Sequence, residues 1–138
     1  MGHALINKLL TGRSSDIWIF TKECTGTAGI TQSGSPWKDL AIFLAGPMAN
    51  IAFASSKLIA AAALRRYFLG IATLILGGGG SLWMAGELFY AFTSATQRND
   101  GDFGKIAKQG NGYLALASLL LVLQCALGVF SAIYLTEH

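Results

Sequence analysis

Charge is what this sequence has least of: 12% of its 138 residues are Asp, Glu, Lys or Arg, while 53% are hydrophobic. A soluble domain carries about a quarter of its residues as charges, so a water-soluble globular fold is excluded by the surface it would lack. Cysteine is scarce as well. Cys24 lies on the side that the charge distribution makes cytoplasmic and Cys125 lies inside a long apolar stretch, so no structural disulfide is expected. Residues 1–12 lack the basic start, long apolar core and small-residue cleavage site of a secretory leader, so none is expected. Basic residues exceed acidic ones only by ten to seven. They are spread over several loops, form no patch, and predict no nucleic-acid partner.

What the chain does have is three long apolar stretches, 40–64, 68–92 and 113–135, which lift the mean hydropathy to +0.51. A helix needs about 20 apolar residues to cross a bilayer, and each stretch is long enough. Lys57 interrupts the first, Glu87 the second and Gln124 the third. Three crossings leave the N-terminal region and the 96–112 loop on one side. That side holds Lys8, Arg13, Lys22, Lys38, Arg98, Lys105 and Lys108, against Lys57, Arg65 and Arg66 toward the other. The positive-inside rule makes the N-terminal side cytoplasmic.

The expected fold is therefore an all-α membrane protein, a single membrane domain with three transmembrane helices and membrane lipids as its surroundings. Two smaller elements are expected to precede the spans. Leu5 and Leu9 share one face of a short helix over 1–12, with Gly12 as its C-terminal cap. Ile17-Trp18-Ile19-Phe20-Thr21 and Thr27-Ala28-Gly29-Ile30-Thr31, separated by Cys24-Thr25-Gly26, read as a membrane-associated β-hairpin over 16–32. Pro36, Trp37 and Lys38 then mark an interfacial helix start.

Several polar or conformationally special residues fall inside the spans. Ala45-Gly46-Pro47-Met48-Ala49-Asn50 combines a close-approach glycine, a proline that frees a carbonyl and an asparagine that needs a partner in an apolar medium. Gly77-Gly78-Gly79-Gly80 predicts a hinge or a tight helix crossing. Glu87 is an ionisable group in a span, and such groups are functional candidates or interior structural ones. The loop Gln97-Arg98-Asn99-Asp100-Gly101-Asp102-Phe103-Gly104 reads as a solvated turn on its Asp-Gly dipeptide.

Taken in order, Gly2-His3-Ala4-Leu5, the hairpin, Ala45-Gly46-Pro47-Met48-Ala49-Asn50 and Asn99-Asp100-Gly101 resemble the site-2 protease family of intramembrane zinc metallopeptidases. There a helix carries H-E-x-x-H, a hairpin follows, a second helix carries A-G-P-x-x-N, and a later D-G supplies a third zinc ligand. The resemblance implies zinc as cofactor, His3 as the second histidine ligand and Asp100 as the third ligand, with Asp102 its rival across Gly101. It also implies that Asn50, with Gly46 and Pro47, orients substrate or site, that Glu87 is a further polar group, and that a transmembrane protein is the substrate, its extended strand paired with the hairpin. Zinc would activate a water that the glutamate of H-E-x-x-H deprotonates.

This sequence departs from that pattern at one place. The first histidine and the glutamate would stand immediately before Met1, and His138 lies too far away to replace them. The 138 residues are thus expected to be inactive as they stand, either as a protease cut within its motif at an internal methionine or as a non-catalytic relative acting as a binding or structural subunit.

Overall fold

The computed structural model describes residues 2–13, 17–18, 27–28, 34–65 and 70–137. Its three long helices, α2 (Pro36–Arg65), α3 (Ile71–Gln97) and α5 (Asn111–Glu137), are each long and apolar enough to cross a membrane. At 1.5 Å per residue, helices of 30, 27 and 27 residues reach about 40–45 Å, enough to cross a hydrocarbon core of roughly 30 Å and enter both headgroup layers. Each runs past the apolar stretch that predicts it, mainly on the side of the 98–110 connection.

Local chemistry sets the helix ends. Pro36 opens α2, where its missing N–H costs nothing, and the Asp39 amide takes the Ser35 carbonyl at 3.0 Å. Arg98 closes α3 in the left-handed region (φ 48°, ψ 39°). The short helix α1 (Gly2–Thr11) ends at Gly12, which has φ 71°.

Two expectations need correction. The 97–106 segment is more than a solvated turn: Asp102–Gln109 forms a helix, α4. Asp100-Gly101 stays outside the helix as a turn, but beyond it Phe103, Ile106 and Ala107 recur at helical spacing and are all buried, so burial of one face stabilises a helix where the sequence offers only a loop signal. The hairpin over 16–32 is not established. Ile17–Trp18 (β1) pairs antiparallel with Thr27–Ala28 (β2), Ile17 opposite Ala28 and Trp18 opposite Thr27. That two-residue ladder is all that is described, and the other residues of 16–32 lie outside the described ones.

α2 is the hub, packing against α1, α3, α4 and α5. Phe43, Ile51, Ala54, Met84, Phe103 and Leu121 are among the residues of the buried core that joins these helices. By contrast Leu74, Ile75, Leu82, Phe89, Leu127 and Phe130 are at least 66% exposed. Such an apolar exterior is unstable in water and at home against lipid tails. Trp37 and Tyr113, near the starts of α2 and α5, meet edge to face at 5.0 Å between ring centroids. Both helices therefore begin on the same side.

The four-glycine run makes a crossing, not a hinge, since α3 continues through it. A side chain at Gly80 would come within 2.9 Å of the Ala54 carbonyl of α2, while Gly78 and Gly79 face open space. Deeper polar groups tie the helices too. Gln124 of α5 donates its amide to the Met48 carbonyl of α2 at 2.9 Å.

The glycines should separate on substitution. Gly80→Ala should destabilise the protein by on the order of 1–3 kcal/mol through overpacking. Gly79→Ala should leave stability unchanged or raise it by up to about 1 kcal/mol through helix propensity. Thermal unfolding in detergent micelles, followed by circular dichroism, reads both. Equal effects at the two positions would contradict the crossing.

Candidate functional site

The polar residues of four helices converge near the shared starting side of α2 and α5. His3, on the first turn of α1, lies against α2 where Gly46 leaves room for it. A β-carbon at position 46 would collide with the His3 ring, so this glycine is what admits an imidazole to the helix surface. The Nδ1–H of His3 donates to the Ile42 carbonyl at 2.7 Å. A carbonyl can only accept, so the proton belongs on Nδ1 and Nε2 is left with its lone pair.

That Nε2 lies 3.2 Å from Oδ2 of Asp102. Asp102 is brought there by the way α4 begins. Its N-cap position is Gly101, which has no side chain to cap with, and α3 supplies the missing acceptor. Ser94 Oγ accepts the Gly104 amide at 2.9 Å and donates to Asn99 Oδ1 at 2.7 Å. Asn99 Oδ1 also accepts the Gly101 amide at 2.9 Å, closing an Asx-turn. The Tyr90 phenol meets the backbone amide of Asp102 itself. With these amides held and an acidic residue favoured in a helix's first turn, Asp102 is fixed toward His3.

Asp100 takes the opposite course. Its side chain is 93% exposed and pairs with Lys108 at 2.9 Å. The hydrogen bond and charge of Lys108 hold its carboxyl below the ordinary carboxylate value. Of the two aspartates flanking Gly101, the one that the resemblance ranks first as a zinc ligand is therefore on the surface, and its rival faces His3.

Asn50, one helical turn beyond Gly46, donates its side-chain amide to Glu87 Oε2 at 2.9 Å. Glu87 lies close enough to His3 and Asp102 to feel the charge of each. It also sits ten residues before the end of α3 at Gln97, about 15 Å along the axis, deeper than an apolar stretch ending at residue 92 implies. Pro47, three residues before Asn50 on α2, is fully buried and has no polar side-chain atom with which to join the pair. The two tiers are thus His3 with Asp102, and Asn50 with Glu87.

Sequence reasoning misses Ser94 and Tyr90, which present no motif. It also misses the Ile42 carbonyl, since an apolar side chain gives no signal for a backbone role. The Asn99-x-Gly101 spacing is a turn signal that points to the Asn99 role. Among the described residues no group of three or more His, Cys, Asp or Glu side chains is arranged to hold a metal.

Burial alone would lower the His3 pKa, but the hydrogen bond and charge of Asp102, with the Ile42 carbonyl, outweigh it and leave the pKa above the ordinary 6.5. With Nδ1–H given to Ile42, a second proton on Nε2 is what relieves the repulsion between its lone pair and the Asp102 carboxylate.

Comparison with protein-family models, with curated proteins and with solved structures finds no match to this chain.

Two measurements test this geometry in metal-free protein. A histidine whose folded pKa is raised contributes stability that is fully present below about 6.5 and lost as pH rises through the folded value. Wild-type protein should show that loss in unfolding experiments across this window, and Asp102→Asn should flatten it while Asp100→Asn leaves it intact. Ser94→Ala should destabilise by about 1 kcal/mol, the usual effect of losing a helix cap, measured by denaturant titration. A flat pH profile in the wild type would contradict the His3–Asp102 pair.

Proposed function

We propose that this chain is the membrane scaffold of a zinc-dependent intramembrane metalloprotease of the site-2 protease kind, with His3 and Asp102 as two of the zinc ligands. One observation carries the reading: the donor geometry at His3. Two ligands about 2.0–2.1 Å from a tetrahedral zinc stand about 3.3 Å apart, and the Nε2–Oδ2 separation is 3.2 Å. The other ring nitrogen gives its proton to a backbone carbonyl, the usual way a protein orients a metal-binding histidine.

Zinc bound there would supply a water acidic enough to attack a peptide carbonyl at neutral pH. The chain's own contribution is orientation. Gly46 admits the imidazole, Ile42 sets its tautomer, Ser94 and Tyr90 hold the start of α4, and Asn50 holds Glu87 beside the pair. In this reading the remaining histidine and the general-base glutamate would come from residues before Met1. In this reading the N-terminal side is cytoplasmic, as the Lys and Arg distribution favours, and the substrate is a membrane-embedded polypeptide.

A second reading is favoured by the same pair. His3 and Asp102 satisfy each other without a metal, so they also work as a clasp between α1 and α4 in a non-catalytic membrane subunit.

The upstream reading frame and zinc content separate the two. The protease reading expects in-frame His-Glu codons directly before Met1. It also expects near-stoichiometric zinc in protein made from that longer frame, lost in His3→Ala and Asp102→Ala and retained in Asp100→Ala. Unrelated codons there, or no bound zinc by elemental analysis, would leave the clasp.

A further inference from the structure

We propose that the cleft between α3 and α5 is a binding site for one anionic phospholipid, with an acyl chain in the cleft and the phosphate on Arg98. α3 and α5 each pack on α2 and on α4 but not along one another. They splay apart and leave a cavity of about 530 Å³ between them. Its walls are Leu88 and Ala91 of α3 and Leu114 and Leu121 of α5, Phe103 of α4 closes it, and Arg98 stands at its loop end.

The dimensions suit a hydrocarbon chain. From Leu88 to Arg98 the wall runs ten residues, about 15 Å, which is the depth of one leaflet's share of a roughly 30 Å hydrocarbon core. At about 530 Å³ the cavity has the size of a small-ligand site, and its walls are apolar along that depth.

Arg98 makes the site selective for charge. It occupies the left-handed position that ends α3, with φ 48°, where helices ordinarily place glycine or asparagine because other side chains are sterically disfavoured. The backbone gains nothing from arginine there, so the side chain accounts for its presence. Its neighbours on the same loop and helix are engaged elsewhere. Lys108 pairs with Asp100 and Lys105 lies over the Phe43 ring. Among the described residues the Arg98 guanidinium has no ion-pair partner. A cation at the headgroup end of an apolar cleft one leaflet deep matches a phospholipid whose headgroup carries net negative charge.

The test reconstitutes the full chain in nanodiscs containing equal phosphatidylglycerol and phosphatidylcholine, then counts lipid retained after transfer to detergent by native mass spectrometry. One lipid should remain per chain. Phosphatidylglycerol should be preferred about fivefold, equivalent to the ~1 kcal/mol that a basic residue contributes against an anionic lipid surface. Arg98→Gln should abolish the preference. Arg98→Gly should abolish it too while leaving the melting temperature unchanged or higher, because glycine relieves the left-handed backbone, and a purely structural arginine would not separate those two readouts. Ala91→Phe, which fills the cleft, should lose the retained lipid of either kind. Equal retention of the two lipids by the wild type, a preference that survives Arg98→Gln, or a co-purifying polypeptide in place of the lipid would overturn the proposal.

Discussion

A bilayer core offers no hydrogen-bond partner, and a polar group carried into it is costly unless it finds one inside the protein. The arrangement of these helices depends on that constraint. Asn50 of α2 meets Glu87 of α3, and Gln124 of α5 meets the Met48 carbonyl of α2. Each pair joins a neighbouring helix to α2. Packing of small residues does the rest, with Gly80 so near α2 that a β-carbon there would come within 2.9 Å of the Ala54 carbonyl. In a medium where lipid tails are as apolar as leucine, burial alone gives helices little reason to prefer one another. The polar pairs and close contacts supply that reason.

The same constraint builds the candidate site. A helix that starts near the interface exposes amides that must be capped, and α4 starts on a glycine that cannot cap itself. Ser94 and Tyr90 of α3 meet that need, and in doing so they lock the first turn of α4 against α3. Asp102 belongs to that locked turn and Asp100 does not. Two carboxylates two residues apart thus end in opposite surroundings, one facing an imidazole and one in solvent beside Lys108. The electrostatics follow from where a helix begins.

α4 also divides the molecule's two candidate binding features. Adjacent residues on a helix project about 100° apart, so Asp102 faces His3 while Phe103 closes the cleft between α3 and α5. A short amphipathic helix lying between the ends of two membrane spans can do this because its apolar face fills the gap that their splay creates. The cleft and the polar site therefore share a wall without sharing a side chain that lines both.

Much of this was legible in the residues. Apolar runs longer than a bilayer's thickness admit hardly any other structure, so the three spans follow from composition and length. Gly12 as the end of α1 and Pro36 as the start of α2 follow from backbone chemistry that needs no neighbours. Asn50 and Glu87 announced themselves as polar groups in need of partners, though not as partners of each other. What the chain could not disclose was anything decided between helices: that Asp102 and not Asp100 turns inward, that residues 102–109 are helical, that Gly46 and not its neighbours faces His3, and that α3 and α5 part to leave a cleft. Hydropathy and local propensity act along the chain. Capping from another helix, the collision a β-carbon would make with an imidazole, and the room left between splayed spans act across it, and only the packed structure brings those atoms within reach of one another.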